Sequence, residues 1–521
     1  MPLSGAAIVP VRRFSLGHAS HAYLFHLETD KTVTLQAQLR RRLVSAILDG
    51  QIPAGSALPS CRSLARSLKI ARNTVVLTYQ DLVEEGYLVS RQRSGFFVNP
   101  DILRNRAGPP ARNPPSDTPV KADDQRPDWY GRMKRHPSQQ HSTVKPMNWA
   151  DQPYPFIYGQ VDQNIFPLSA WRECSRQALS IDSVREWSKD RFTEDDPKLV
   201  EQIRTRLLPR RGILAAPDEI LVTVGAQNAL YLLVSLLFDA RTRFGIEDPG
   251  YTDARNIAAL RTEHVAGLDV DREGLVIGEN ALAGCDYVYV TPSHQFPTTV
   301  TMSLARRQAL LAAARRDDVI IIEDDYESEI SHSGSPQPAL KSLDSQDRVI
   351  FIASLSKTLA PGLRFGYMVG PKPLIREARA LRRLMLRHPA ANNQRTVALF
   401  LADGHYDGLL RRLCHAYRDR LLEATAALGK YLPEFSVNAA AGGSALWIKG
   451  PPRLDMAAVE AEALKRGVVI ESGGVHFHRT DRHPAERMRY CRLGVSSIPI
   501  ERIEPGIKIL AQIVRERPGQ A

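Results

Sequence analysis

The stretch that decides the fold class of this 521-residue chain is Ser354-Leu355-Ser356-Lys357-Thr358-Leu359-Ala360-Pro361-Gly362-Leu363-Arg364. It follows the apolar run 349–353, which is typical of a buried strand. The serines and the lysine then emerge at the carboxyl end of that strand, where open α/β sheets bind ligands. Asp324-Asp325-Tyr326 follows another apolar run upstream. Hydroxyl, ammonium, guanidinium and carboxylate groups are therefore expected to meet at one sheet edge.

These groups match the parts of pyridoxal 5'-phosphate. Lys357 offers an amine for the aldehyde of the cofactor, and Asp324 suits its pyridine nitrogen. Ser354, Ser356 and Arg364 suit its phosphate. An isolated Ser-x-Lys is more often a solvated surface lysine. The arginine and the upstream acid favour the cofactor site instead.

The rest of the chain beyond residue 155 alternates strand-like apolar runs with helical ones, which predicts a largely parallel sheet covered on both faces, an α/β fold. The predicted strands are 220–224, 244–247, 287–290, 319–322, 349–353 and 365–369.

Three further cofactor contacts follow these strands. Gly225-Ala226-Gln227 comes after the first strand and opens a helix, whose N–H groups and dipole suit a phosphate. Tyr251 comes after the second strand and offers a flat face for stacking on the pyridine ring. Asp324 and Tyr326 are two residues apart in extended chain, so both side chains are expected on the same side. The Tyr326 phenol suits the hydroxyl group of the pyridine ring. Taken alone, each has a plainer interpretation as a turn or a half-buried ring.

The N-terminal part of the chain has helical periodicity and a basic charge. Apolar residues recur at helical spacing over 34–48, and two shorter helices are predicted from Ser60 and from Asn73. Tyr87-Leu88-Val89 and Gly95-Phe96-Phe97-Val98 predict two strands. This order is that of a winged helix-turn-helix, whose second motif helix enters the major groove. The protein carries a net charge of +12, with a sequence pI near 9.5, which favours an anionic partner.

Double-stranded operator DNA is the partner that this arrangement predicts, and a helical module that contacts only protein is the alternative. The start of the motif helix is expected near base edges and the wing on phosphates. The candidate DNA-binding residues are Ser60, Arg62, Arg72, Asn73, Thr74, Arg91 and Arg93.

Other composition features exclude several classes of protein. Five scattered cysteines argue against a disulfide framework, and His476, His478 and His483 lack an accompanying acid or cysteine at ligand spacing, so no metal site is predicted. No stretch reaches the roughly 18 uninterrupted apolar residues of a membrane span. We expect a cytoplasmic protein.

Two sets of motifs carry a family resemblance. The N-terminal part resembles the GntR-type winged-helix domain, and the residues around Lys357 resemble a fold-type-I aminotransferase, so that the whole chain is similar to the MocR/GabR family of transcriptional regulators. The GntR motifs are Leu58-Pro59-Ser60, Arg62-Ser63-Leu64-Ala65, Arg72-Asn73-Thr74-Val75, Leu82-Val83-Glu84-Glu85-Gly86-Tyr87 and Ser94-Gly95-Phe96-Phe97-Val98.

The resemblance implies a domain organisation and further site residues. Residues 1–100 would form the DNA-binding domain, 101–155 a proline-rich linker, and 156–521 the cofactor-binding effector domain, with a large subdomain at about 200–400 and a small one at about 401–521. Lys357 would form the Schiff base, His294 would contact the cofactor or effector, and Arg492 would hold an acidic group of the effector. The family also implies a homodimer, with head-to-tail exchange of domains.

The sequence departs from the family pattern at two places. The family commonly has a Tyr-Gly turn before the stretch that corresponds to Asp196-Pro197-Lys198-Leu199, whereas this chain reads Arg191-Phe192-Thr193-Glu194-Asp195-Asp196. Thr298-Thr299 stands where Thr-Gly or Ser-Gly is usual. The second change predicts a loop with less backbone freedom.

The function that this resemblance implies is regulation of transcription, in which an amine or amino-acid-like effector is sensed through aldimine exchange at Lys357. Two alternatives remain open at this point. One is a working aminotransferase with an appended helical module, for which enzyme-like turnover would be diagnostic. The other is a cofactor-carrying protein whose N-terminal domain contacts only protein.

Overall fold

The computed structural model describes residues 33–91, 94–102, 127–332, 337–438, 442–479 and 484–516. Arg93, His483 and residues 103–126 of the predicted linker lie outside these ranges. The chain divides into two compact units after Pro127. Residues 128–155, which were predicted as linker, belong to the second unit. Among the helices of these ranges, none is both long and apolar enough to cross a membrane.

The first unit is a winged helix-turn-helix, as predicted. It contains α1 (Leu35–Leu48), α2 (Cys61–Leu68), α3 (Arg72–Glu84), β1 (Leu88–Arg91) and β2 (Gly95–Val98). The two strands pair antiparallel and form the wing. Thr34 and Ser60 cap α1 and α2 with their side-chain oxygens. The Tyr79 hydroxyl ties α3 to the turn before α2 by donating to the Pro59 carbonyl at 3.0 Å.

The second unit alternates strands and helices. Its elements are α4 (Trp129–Arg132), β3 (Tyr154–Pro155), α5 (Leu168–Ala178), α6 (Ile181–Trp187), α7 (Pro197–Gln202), β4 (Ile220–Thr223), α8 (Ala226–Leu237), β5 (Phe244–Asp248), α9 (Thr252–Ala258), β6 (Val265–Asp271), β7 (Gly274–Leu275), β8 (Tyr287–Val290), α10 (Leu304–Arg316), β9 (Ile320–Asp325), α11 (Leu340–Leu343), β10 (Val349–Ser354), β11 (Gly366–Val369), α12 (Lys372–Leu386), α13 (Ala391–Ala402), α14 (His405–Tyr431), β12 (Ser436–Val437), β13 (Ala445–Lys449), α15 (Met456–Lys465), β14 (Val468–Val469), β15 (Glu471–Ser472), α16 (Pro484–Arg487), β16 (Tyr490–Gly494) and α17 (Ile503–Glu516).

An eight-stranded sheet forms the centre of this unit. Its strand order is β4-β11-β10-β9-β8-β5-β6-β7. The run from β10 through β9, β8 and β5 to β6 is parallel, and β11 is antiparallel to both of its neighbours. The carboxyl ends of β4, β5, β8, β9 and β10 therefore lie at the same edge. All six predicted strands are in this sheet, which confirms the α/β fold class.

Two strands of the sheet were not predicted. β6 has alternating polar and apolar residues and is only partly buried, and β7 has two residues. β7 is the edge strand and pairs only with the last two residues of β6, so β6 is itself partly open to solvent and needs no continuous apolar run. The predicted strand at 319–322 extends in the structure to Asp325, so Asp324 lies within a strand.

A smaller antiparallel sheet, in the order β12-β13-β16-β15, carries the C-terminal site residue. Arg492 lies in β16, directly opposite Glu471 of β15. Beside this sheet, β3 pairs parallel with β14. The first residues of the second unit are thus attached to its C-terminal part before the chain reaches the central sheet.

Candidate cofactor and effector site

A cavity of about 240 Å³ lies at the carboxyl ends of the central strands. It brings together nine of the predicted site residues with four that were not predicted. The predicted residues are Ala226, Gln227, Tyr251, Asp324, Tyr326, Ser354, Ser356, Lys357 and Arg364. The additional ones are Tyr158, Tyr289, Phe296 and Pro361.

One end of the cavity has the composition of a phosphate site. Gly225 is the N-cap of α8 and has a φ of 82°, a conformation that favours glycine. A Cβ atom at this position would lie 3.1 Å from Nη2 of Arg364. The same nitrogen donates to the Val224 carbonyl at 3.2 Å. Helix N–H groups, two serine hydroxyls and a guanidinium therefore surround one small space, which suits a dianion.

The opposite end presents a carboxylate with one free oxygen. Asp324 Oδ2 accepts a hydrogen bond of 2.7 Å from the Tyr289 hydroxyl. Asp324 Oδ1 is buried and has no hydrogen-bond partner among the described residues. Burial raises the pKa of Asp324 to about 7, and the bond from Tyr289 opposes that rise. An N–H donor facing Oδ1 would satisfy this atom and favour its ionised form.

Two tyrosines that were predicted as cofactor contacts line the space between these ends. The Tyr326 hydroxyl is buried and has no hydrogen-bond partner among the described residues. Burial holds the pKa of that phenol well above its ordinary value, so it remains a hydrogen-bond donor. The Tyr251 hydroxyl donates to Asp253 at 3.3 Å, which fixes the orientation of its ring.

The amine of Lys357 faces the ring of Tyr158, a residue that the sequence analysis did not select. Lys357 Nζ lies 4.7 Å from the centroid of that ring. Enclosure in the cavity lowers the pKa of Lys357 to about 8, and the positive charge of Lys145 adds to this effect. A substantial neutral fraction of this amine is therefore present near neutral pH, as a nucleophile requires.

Arg492 lies behind the same tyrosine. Its Cζ atom is 3.5 Å from the centroid of the Tyr158 ring and 4.3 Å from that of Phe296. The side chain is fully buried, and none of its three guanidinium nitrogens has a hydrogen-bond partner among the described residues. A buried guanidinium without partners is costly, and an anion of matching shape would satisfy it.

His294 does not line the cavity. Its ring centroid lies 6.0 Å from that of Tyr326, and its Nε2 lies 3.7 Å from Oε2 of Glu327. Burial lowers the pKa of His294 to about 3, so the ring is neutral. His294 thus packs against the edge of the Tyr326 ring. Its role as a cofactor contact stays a prediction.

The candidate DNA-binding residues of the first unit lie at its surface. Arg72 and Asn73 are exposed at the start of α3, and Thr74 is half-buried. Arg62 is exposed on α2, whereas the Ser60 oxygen accepts from the Ser63 N–H as a helix cap. Arg91, on the wing, places its guanidinium 4.4 Å from the centroid of the Phe97 ring.

Comparison with known proteins identifies both units. Residues 35–98 match the family described as bacterial regulatory proteins of the gntR family, and residues 161–491 match aminotransferase class I and II. The HTH-type transcriptional regulator TauR of Rhodobacter capsulatus is 42% identical over 92% of this chain and 97% of its own length. The chain belongs to the MocR/GabR family of transcriptional regulators.

Other relatives of this MocR/GabR-type regulator agree with that assignment. The probable rhizopine catabolism regulatory protein MocR of Rhizobium meliloti is 30% identical over 78% of this chain and 80% of its own. Among solved structures, the kynurenine aminotransferase of Pyrococcus horikoshii is 26% identical, covers 70% of this chain and 91% of its own, and has a TM-score of 0.64. The protein is therefore a DNA-binding transcriptional regulator with an aminotransferase-like domain.

The cofactor of this MocR/GabR-type regulator is pyridoxal 5'-phosphate, on which class I and II aminotransferases depend. The residues present fit it. Asp324 Oδ1 is an unpartnered acceptor for a pyridinium N–H, and a helix N-terminus with Arg364 and two serines provides a phosphate site. When bound, the cofactor supplies an electrophilic aldehyde that reacts reversibly with primary amines.

Proposed function

We propose that the regulator senses a small compound with an amine at one end and an acidic group at the other. The main support for this proposal is Arg492, a buried guanidinium whose three nitrogens have no hydrogen-bond partner among the described residues. Arg492 and Lys357 both lie against the ring of Tyr158. An amine at the position of Lys357 and an acid at Arg492 would satisfy both ends of the site at once.

The sensing step needs movement of Tyr158. Its ring lies against Arg492 on one side and against Lys357 on the other. An effector with its amine beside Lys357 and its acidic group on Arg492 would have to take the place of this ring. The effector shifts the regulator toward one DNA-binding state only as far as its affinities for the two states differ, about 1.4 kcal/mol for each tenfold change in population.

Operator binding in this proposal uses the exposed start of α3 and the wing. Arg72, Asn73 and Thr74 read base edges, and Arg62 and Arg91 contact phosphates. Ser60 contributes by fixing the start of α2. DNA as the target places the action of the protein in the cytoplasm.

We also propose a homodimer that contacts the site. Leu384 and Met385, adjacent at the end of α12, are 85% and 49% exposed, so a second subunit would bury apolar surface by covering them. Met385 Sδ lies 3.8 Å from the Asn228 amide, beside the phosphate end of the cavity. A second copy covering these residues would border the cofactor. Leu384→Glu is expected to reduce the dimer fraction in analytical ultracentrifugation, whereas an unchanged sedimentation profile argues against this surface.

The experiment that tests effector sensing is a screen of small amines on the cofactor-loaded protein. Compounds that change its visible absorption are then tested for a change in operator binding. Arg492→Gln is expected to weaken the response to amines that carry an acidic group and to leave the response to plain alkylamines near that of the parent. Equal loss for both classes would contradict the role of Arg492. Keto-acid formation at enzyme-like rates would favour a working aminotransferase.

A further inference from the structure

Lys145 is a half-buried cation beside the site that neither the motifs nor the comparisons assign. It lies ahead of β3, among the residues 128–155 at the start of the second unit. Its Nζ donates a hydrogen bond to the backbone oxygen of Tyr158. The same atom lies 3.7 Å from Oε1 of Glu471, which is opposite Arg492 in the small sheet. Lys145 is thus held at the back of the proposed effector site by two separate contacts.

The ring of Tyr158 stands among three cations. Lys145 Nζ, Lys357 Nζ and Arg492 Cζ lie 5.7, 4.7 and 3.5 Å from its centroid. The Tyr158 hydroxyl is buried and has no hydrogen-bond partner among the described residues. The ring is therefore positioned by its packing against Arg492 and by its backbone, which Lys145 contacts.

The backbone around Tyr158 fits closely between the amine of Lys357 and strand β16, which carries Arg492. Gly159 has a φ of 73°, and a Cβ atom there would lie 2.6 Å from Lys357 Nζ. A Cβ atom at Gly494 would lie 2.3 Å from the backbone nitrogen of Tyr158. A shift of this segment therefore changes the surroundings of both Lys357 and Arg492.

We propose that Lys145 is a positioning residue of the effector site, which fixes the Tyr158 backbone so that the ring covers Arg492, and which places a second positive charge beside Lys357. This inference rests on the proposed effector function and adds a residue from the segment 101–155 that was predicted as linker. The effector class it favours has an acidic end, because that end would meet both Lys145 and Arg492 once Tyr158 moves.

The charges around Lys357 predict the direction in which its pKa changes when one of them is removed. Lys145 and Arg492 face it with positive charge and disfavour its protonation, whereas Glu327 and Glu471 favour it. Asp324 lies on the cofactor side of the same cavity. Removing the charge of Lys145 must raise the pKa of Lys357, and removing the charge of Glu471 must lower it.

The test uses the full-length protein without cofactor. Lys357 is acetylated with acetic anhydride across a pH series, and the midpoint of its labelling is read by mass spectrometry. Lys145→Met is expected to raise the midpoint by about one pH unit. Lys145→Arg keeps the charge and should restore the parent midpoint. Lys198→Met, at an exposed lysine on α7, is the matched control and should change nothing.

Glu471→Gln provides the opposite arm, with a lowered midpoint expected. If Lys145→Met does not fold, the Glu471→Gln and Lys145→Arg profiles still decide the question. The charge arrangement is overturned if the labelling midpoints of Lys145→Met and Glu471→Gln both equal that of the parent. If Lys145→Met does not fold, a parent-like midpoint in Glu471→Gln alone overturns it.

A second measurement tests whether Lys145 controls how the Tyr158 ring covers Arg492. The cofactor-loaded parent and Lys145→Met are titrated with 3-aminopropanoate and with propylamine, and the change in visible absorption is followed. Lys145→Met is expected to change the ratio of the two apparent affinities severalfold, because only the first probe carries an acid. An unchanged ratio removes the positioning role. If the parent responds to no amine while the labelling midpoints shift as expected, the proposed sensing function fails and the Lys145 arrangement stands.

Discussion

The two units of this regulator place their functional groups in opposite surroundings. On the first unit, Arg72 and Asn73 are exposed to solvent at the start of α3. In the second, Asp324 is 5% exposed and Arg492 is fully buried, and both have polar atoms without partners among the described residues. The first unit meets its ligand at a surface, and the second encloses it.

This difference decides which physical effects control each unit. Salt screens charges at a surface. The affinity of such a surface for DNA falls as the salt concentration rises, because the release of counterions from the DNA becomes less favourable. Charges in an enclosed cavity interact more strongly and have shifted pKa values, as Lys357 and Asp324 do. We therefore expect salt to act mainly on operator binding and pH mainly on cofactor attachment.

The largest effect is expected from Lys357→Ala. Removing the amine leaves no group to bond the aldehyde, so borohydride treatment should fix no cofactor mass on the protein. Lys198→Ala, which alters an exposed lysine, should retain the full mass increment.

The same variant sharpens the comparison between the units. Operator binding by Lys357→Ala should persist without effector, because α3 and the wing are unchanged, and its response to effector amines should be lost. A normal effector response in this variant would show that sensing does not pass through Lys357.

The next effect in size concerns the exposed unit. Arg72→Ala is expected to weaken operator binding by about 1–3 kcal/mol, or roughly fivefold to 150-fold, because an exposed guanidinium at the start of the motif helix loses its DNA contacts. Arg40→Ala is the matched control, since Arg40 already bonds both oxygens of Glu85, at 2.9 and 2.6 Å.

Titration of operator binding against salt completes this test. The parent should show a steep decrease in affinity, and a flat slope in the parent would contradict a surface that contacts phosphates. Equal losses in Arg72→Ala and Arg40→Ala would show that α3 is not the reading helix.

The sequence predicted those parts of the site that stand next to strong local patterns. Lys357, Asp324 and Gly225 each follow an apolar run that forms a central strand, so strand prediction alone placed them at one sheet edge. The three helices of the first unit have apolar periodicity, two of them also have capping residues, and all three are confirmed.

The residues that the sequence did not reveal come from distant segments. Tyr158 and Lys145 precede the central sheet, and Glu471 is in a two-residue strand of the small sheet. Their proximity depends on tertiary packing, such as the bond from the Gly494 N–H to the Phe156 carbonyl, which no local pattern signals. Tyr289 was within a predicted strand, but its bond to Asp324 needs the register between β8 and β9.

A smaller effect is expected from pH on cofactor attachment. The neutral form of Lys357 is the nucleophile, and its pKa of about 8 lies below the ordinary lysine value of 10.5. The neutral fraction should therefore rise about tenfold between pH 7 and pH 9 and then level off. The measurement is the rate at which the visible band appears after the cofactor is added to cofactor-free protein. A rate that keeps rising up to pH 10.5 would show that the cavity does not lower this pKa.

The smallest effect concerns the Thr298-Thr299 departure in the loop that carries His294 and Phe296. Thr299 has a φ of 66°, is fully buried, and its hydroxyl has no hydrogen-bond partner among the described residues. A β-branched residue in the left-handed region is strained, and a buried hydroxyl without a partner adds to the cost. Thr299→Gly should therefore raise the free energy of unfolding of the second unit by about 1 kcal/mol, as measured by denaturant titration.

The neighbouring threonine provides the matched control for this last change. The Thr298 hydroxyl donates to Oε1 of Gln295, and its φ is not in the left-handed region. Thr298→Gly should therefore lower the free energy of unfolding, opposite in sign to Thr299→Gly. Because both changes lie in the enclosed unit, neither should alter operator binding in the absence of effector. A destabilised Thr299→Gly would mean that the buried methyl group of Thr299 stabilises the loop more than its backbone conformation destabilises it.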